Sequence, residues 1–233
     1  MQEKALIESL YHMKNFFEKN NIDYWLDTGT LLGAVRDKKF ITWDYDIDFG
    51  IWQKDILKIF DHSKELEKFG YEVCYFQIEM CIKIIRKNSE VDLNIYALEN
   101  ESATRVWHIP NCLGSKLDYF YWILTIKNIE LKRSKVSKKL TKKLKKLTNL
   151  IPTFKKKLLS KITILIYQKI GSKKINVIIP KKYFVDLSKI EFYSQKFNAP
   201  KDVESYLEFR YGNNWRTPKK DYVYYRDDES IVR

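Results

Sequence analysis

Asp46 and Asp48 stand two residues apart and alternate with Ile47, Phe49 and Ile51. Side chains of a strand point to opposite faces in turn, so the pattern predicts a strand over 40–51 with both carboxylates on one face. Asp92, in the run Glu-Val-Asp-Leu-Asn-Ile-Tyr, offers a third carboxylate from a neighbouring strand. Hard oxygen ligands suit a small, hard cation, and such a trio is a common cradle for magnesium in phosphoryl transfer. Ahead of the pair, Asp27-Thr28-Gly29-Thr30 reads as a turn opening a helix. Backbone N–H groups and a hydroxyl at a helix N-terminus favour phosphate oxygens. Arg36, about one and a half helical turns further on, supplies a fork for bidentate phosphate contact. Lys83 reads either as a cation aimed at the phosphates or as an ordinary surface lysine. Taken singly these features say little: an isolated Asp-x-Asp is usually a solvated strand edge, and Asp92 alone reads as a surface residue.

The surrounding periodicity supplies elements to position them. Leu6, Leu10, Met13 and Phe17 recur at helical spacing and predict a helix over 6–20. A short strand over 22–27 follows, then a helix from about Leu31 through Val35. After the strand carrying the aspartates, Ile56, Ile59 and Phe60 predict a helix over 54–69 closed by Gly70. Segments 71–76, 80–86 and 91–97 read as strands, the last two joined at Lys87-Asn88-Ser89. The order αβαβαβββ predicts an α+β fold, a mixed sheet with helices packed on it. Beyond it, Val136, Leu140, Leu144, Leu147 and Leu150 form an apolar stripe among lysines, broken before Pro152 because the residue preceding proline disfavours the helical region. Phe154, Leu158, Ile162, Leu165 and Ile166 predict a second such helix, ended at Gly171. Expected divisions are a catalytic core over 1–130, a lysine-rich helical insertion over 131–171 and a C-terminal segment over 172–233 that closes the site.

Composition narrows the classes. With 45% hydrophobic and 15% aromatic residues but only 7 glycines and 5 prolines, the chain has the balance of a packed protein, not a disordered one. Cys74, Cys81 and Cys112 match no zinc-ligand spacing, and an odd count fits a disulfide framework poorly, so they read as reduced thiols in a cytoplasmic protein. The N-terminus lacks an uninterrupted apolar stretch and reads as a soluble helix, not a signal peptide. No run is long enough to span a bilayer. The net charge of +13 is concentrated: residues 131–185 hold 18 Lys or Arg and no Asp or Glu, leaving the rest mildly acidic at about −5. A nucleic-acid-binding module built on these helices would leave the aspartate cluster without a role. Their alternatives are a solvated face or a surface that docks peripherally on the anionic inner face of the plasma membrane.

The whole run YWLDTGTLLGAVRDKKFITWDYDIDFGIW, residues 24–52, resembles the LicD family of phosphotransferases, which also contains fukutin and fukutin-related protein. Pro200, Tyr206-Leu207, Tyr211-Gly212-Asn213-Asn214-Trp215 and Pro218 resemble that family's closing motif. The resemblance implies a nucleotidyltransferase-like fold and a CDP-linked alcohol as donor, such as CDP-choline, CDP-ribitol or CDP-glycerol. It implies a hydroxyl of a cell-surface glycan, free or lipid-linked, as acceptor, and Mg2+ or Mn2+ on the aspartate cluster. Carried over, Thr28, Gly29 and Thr30 would meet the donor phosphates and Arg36 would neutralise them. Asp44, Asp46 and Asp48 would form the acidic cluster, Asp44 as a ligand or as support for one. Asp92 would accept the hydroxyl proton or help hold metal. The chain lacks the cysteines of the zinc-binding insert found in animal members. The same carboxylates would also serve a nucleotidyltransferase moving an NMP group from an NTP.

Overall fold

The computed structural model describes residues 2–76, 81–125 and 138–232. It begins with α1 (Gln2–Lys19), β1 (Tyr24–Leu26), α2 (Thr28–Arg36) and β2 (Asp46–Trp52), then two short helices, α3 (Ile56–Asp61) and α4 (Ser63–Glu67). Strands β3 (Glu72–Phe76), β4 (Cys81–Arg86), β5 (Ser89–Glu99) and β6 (Ser102–Pro110) precede helices α5 (Cys112–Thr125), α6 (Lys138–Asn149) and α7 (Thr153–Ile166). The chain then adds β7 (Ser172–Pro180), the hairpin of β8 (Ser188–Phe192) and β9 (Gln195–Ala199), α8 (Val203–Tyr211), α9 (Tyr224–Asp227) and β10 (Ile231–Val232). The fold is α+β, as the sequence predicts. One compact unit gathers the described residues of 1–75, 80–106 and 175–233; a second gathers those of 76–79 and 107–174.

The first unit is organised by a mixed sheet with the path β1-β2-β5-β6-β7-β10, from which β3 and β4 branch at β5. β2 and β5 are parallel, whereas β1–β2 and β4–β5 are antiparallel. One face is apolar. Ile47, Phe49, Ile51, Val91 and Leu93 are fully buried there, along with Leu10, Met13 and Phe17 of α1. Phe17 meets Phe49 edge-on at 5.2 Å and Tyr24 at 4.9 Å between ring centroids. Each such side chain contributes about 1.5–3 kcal/mol on burial, which fixes α1 on this face and leaves the other face to the aspartates.

Boundaries depart from the periodicity in instructive places. The strand expected from residue 40 begins only at Asp46, because residues 41–44 close a turn in which Asp44 N–H donates to the Ile41 carbonyl at 2.9 Å. That turn folds Asp44 back instead of extending it along the strand. The helix expected over 54–69 is broken at His62, although Gly70 closes it with φ +79° as expected. Helix α2 starts at Thr28, three residues earlier than the apolar pattern, and β6 and α5 arise from a stretch whose pattern was not read. Of the expected helices and strands, Met80, Val136 and the side chain of Leu140 lie outside the described residues.

Gly50, in the middle of β2, leaves room for the indole of Trp25: a Cβ there would lie 2.1 Å from Trp25 Cε2. That indole is wholly buried against Trp52, Tyr96 and Phe184, at centroid separations of 5.0, 5.5 and 4.8 Å. Overpacking a ring so enclosed costs about 1–3 kcal/mol. Gly50→Ala is expected to lower the unfolding free energy by about that amount, read from the urea midpoint with an unchanged m-value.

Candidate active site

The polar face of the sheet carries the carboxylates singled out from the sequence, and its register does the placing. In the parallel β2–β5 pair, Asp48 stands opposite Asp92 and Asp46 opposite Glu90. In the antiparallel β4–β5 pair, Lys83 stands opposite Asp92. Asp44 comes from the turn before β2, and carboxylate oxygens of Asp44, Asp46 and Asp48 lie within 4.8 Å of one another. Burial holds the Asp48 carboxyl well above the usual carboxylate range, and the charges of Asp46, Asp44 and Asp92 push it further the same way. The hydroxyl of Thr28 pulls modestly in the opposite direction.

Three crowded oxygens at this spacing fit one hard cation with ligands at about 2.1 Å after small side-chain adjustment. Gly29 is part of the same fit. A Cβ on it would lie 2.2 Å from Asp44 Oδ2 and 3.7 Å from Asp48 Oδ2, so the absence of a side chain lets the start of α2 sit directly against the carboxylates. Its neighbour Thr28 adopts φ +39°, an unfavourable conformation for a β-branched residue. Something must hold it there.

Asp27 does so from below. Its carboxylate is fully buried and accepts from Asn94 Nδ2 at 2.9 Å, Tyr96 OH at 2.8 Å and Tyr206 OH at 3.1 Å, with Arg210 NH1 at 3.6 Å. Burial raises both phenols far above their ordinary range, so they remain protonated donors at any working pH. Asp27 therefore does not cap α2 with its side chain; its backbone N–H donates instead to the Asp48 carbonyl at 3.1 Å. Arg210 is itself anchored by Asp228 at 2.6 Å and donates to Tyr206 OH at 2.7 Å, while Asp228 Oδ1 accepts from the Ser230 backbone at 2.9 Å. Asn94 Nδ2 also reaches Asp48 Oδ1 at 3.4 Å, which links this network to the acidic cluster.

The residues singled out from the sequence fall into two groups. Asp44, Asp46, Asp48, Asp92, Thr28 and Gly29 are brought together at the start of α2. Three others make internal bonds. The Thr30 hydroxyl accepts from the Asp48 backbone N–H at 2.8 Å, Arg36 grips Asp37 in a bidentate pair at 2.8 and 2.9 Å, and buried Lys83 donates to Asp92 at 2.6 Å and Glu90 at 3.1 Å. Glu90, Asn94, Tyr96 and Arg210 were not singled out. The first three had a signal, since they fall at even offsets from Asp92 and must share its face. Arg210 had none until the C-terminal helix was placed.

The site thus combines a mixed sheet with carboxylates gathered at the start of a glycine-containing helix. The family model described as LicD/FKTN/FKRP, nucleotidyltransferase domain, matches residues 21–110. Uncharacterized protein RP689 of Rickettsia prowazekii is 40% identical over 103 residues, covering 42% of this chain and 36% of that protein. Ribitol 5-phosphate transferase FKRP of Homo sapiens is 42% identical over 53 residues, 23% of this chain and 11% of that protein. The chain thus spans about a third or less of the length of these relatives. Among solved structures, the antibiotic-resistance factor ANT(2'')-Ia aligns at a TM-score of 0.36 and 13% identity over 71% of this chain and 95% of that one.

Two outcomes follow from the crowding and its support. A carboxyl raised in the folded state opposes folding once it must ionise, so stability falls as pH climbs from the ordinary carboxylate range through the raised value. With metal removed by EDTA, Asp48→Asn is expected to be the more stable protein at pH 8, with a smaller gap at pH 5. Urea midpoints at both pH values check it. Arg210→Ala strands Asp27 and Asp228 in the interior, and breaking a buried pair of this kind costs about 3–5 kcal/mol; thermal and urea unfolding of the variant measure the loss.

Proposed function

We propose that this protein is a metal-dependent phosphotransferase that moves a phosphoalcohol group from a CDP-linked donor to a hydroxyl of a glycan. The observation that carries this reading is the register placing Asp48 opposite Asp92, beside Asp46 and Asp44 and against the bare Cα of Gly29. The match of residues 21–110 to the LicD family model supports it, as does similarity to the ribitol 5-phosphate transferase FKRP.

In this reading Asp44, Asp46 and Asp48 hold Mg2+ or Mn2+, which when bound offsets charge on the donor diphosphate. The N-terminal N–H groups of α2 at Thr28, Gly29 and Thr30 bind donor phosphate oxygens. Arg36 joins them by exchanging Asp37 for phosphate. The acceptor hydroxyl oxygen bonds to the phosphorus bearing the alcohol, the bond from that phosphorus to CMP breaks, and CMP departs with the electron pair. Asp92 takes the hydroxyl proton. Lys83, between Asp92 and Glu90, orients Asp92 and balances its charge beside three other carboxylates. The network on Asp27 holds the turn at Thr28 in the form that presents these groups, so geometry is prepared before substrate arrives.

The test is a donor panel of CDP-choline, CDP-ribitol, CDP-glycerol and CTP, with a glycan acceptor, scored for CMP and for pyrophosphate. One CDP-alcohol is expected to yield CMP in Mg2+ or Mn2+ and none in EDTA. Asp46→Asn and Asp48→Asn are each expected to lower turnover at least about 100-fold, a loss of about 2.7 kcal/mol of transition-state stabilisation, with the fold retained. Asp92→Asn is expected to reduce kcat more than it raises the donor KM. Pyrophosphate from CTP, with no CMP from any CDP-alcohol, would replace this reading with transfer of an NMP group.

A further inference from the structure

Helices α6 and α7 of the second unit are turned inside out. Among the described side chains of α6 the buried ones are polar: Lys145, only 7% exposed, donates to the Ile123 carbonyl at 2.9 Å, and Thr148 lies buried one turn later. Leu144 is half-buried, whereas Leu147 and Leu150 face away at 54% and 81% exposed. On α7, Thr163 and Ile164 are buried, while Phe154, Leu158, Ile162, Leu165 and Ile166 are all exposed. These five recur at four-, four-, three- and one-residue steps, so they share one side of the helix. Burying a lysine while exposing a row of large apolar side chains is the reverse of what water selects, and exposed apolar patches of this kind mark a surface that meets something else.

We infer that this surface docks on an anionic lipid membrane, with the two helices lying in the interface plane. Charge chooses the occupant. Lys143, Lys146, Lys155, Lys157, Lys161 and Lys169 are exposed around the stripe, and residues 131–185 contain no Asp or Glu to offset them. A second copy of this chain would bring an equally cationic surface against the first. Nucleic acid would engage the lysines and could stack on Phe154 but offers nothing to Leu158, Ile162, Leu165 and Ile166, since base contact is made by aromatic or planar groups. An anionic bilayer satisfies both, because apolar side chains sink to the acyl boundary while lysine stems let their ammonium groups reach the headgroups. Docking is in the plane: among the described residues no helix is long and apolar enough to cross a membrane. The inference stands on the second unit alone and does not depend on the proposed reaction.

Co-sedimentation of the full chain with vesicles of equimolar phosphatidylglycerol and phosphatidylcholine, against pure phosphatidylcholine, tests it. Binding is expected to the anionic vesicles only, by about fivefold for each lysine near the surface. It should weaken steeply between about 0.1 M and about 1 M NaCl, as the Debye length falls from about 10 to about 3 Å. The double variant Leu158→Glu with Ile162→Glu, altered only at exposed positions, is expected to lose at least tenfold in vesicle affinity while its urea midpoint stays unchanged. Equal recovery in the supernatant with both lipids would overturn the inference. Undiminished vesicle binding by the double variant would do the same, as would a dimer in light scattering that the variant dissociates with no vesicle binding by the parent.

Discussion

Four carboxylates, three on one face of a sheet and Asp44 folded against them from the turn before β2, set the terms for the rest of the first unit. Asp44, Asp46, Asp48 and Asp92 repel one another, and burial deepens that repulsion by removing water. Such a face destabilises the protein unless its scaffold is stiff. The apolar reverse of the same sheet provides the stiffness, with α1 seated on Ile47, Phe49 and Val91. One strand therefore serves two ends: Ile47, Phe49 and Ile51 pack the core, while Asp46 and Asp48 carry charge on the other face.

The second support is a buried ionic network that ties the turn before α2 to the C-terminal part of the chain. Buried ion pairs seldom add net stability over apolar residues of equal volume, because desolvation consumes the Coulombic gain. The Asp27–Arg210–Asp228 system is better understood through geometry. Its donors come from β5 and α8 and converge on one carboxylate, so the position of Asp27, and with it the conformation of Thr28, is determined from several sides. Stability spent there is returned as a fixed relation between the turn and the carboxylates of β2.

Much of this was legible in the sequence because period-two and period-3.6 patterns survive translation into packing. The pairing of Asp46 with Asp48 and the helix carrying Leu10, Met13 and Phe17 follow directly from spacing. Register did not: nothing local says that Asp48 meets Asp92 and not Glu90, since that depends on how two strands slide past one another. Nor did the sequence show that Thr30, Arg36 and Lys83 would be engaged by neighbours, because a short polar contact within the fold looks the same in a sequence as an outward-facing group. The α6 and α7 stripes left their direction open. Helical periodicity reports that one side is apolar, but only packing reveals that the apolar side faces outward.

The hydrogen bond from Tyr206 to Asp27 closes a loop of 179 residues. During synthesis at about 5–20 residues per second, roughly ten to forty seconds separate the emergence of its two ends from the ribosome. Over that interval the nascent N-terminal half carries a carboxylate destined for the interior but lacking Tyr206 and Arg210, so Asp27 must stay hydrated and the turn at Thr28 unset. Assembly of the acidic centre is thus timed by the translation of α8, and a metal ion or nucleotide encountering the chain before then meets no finished site to occupy.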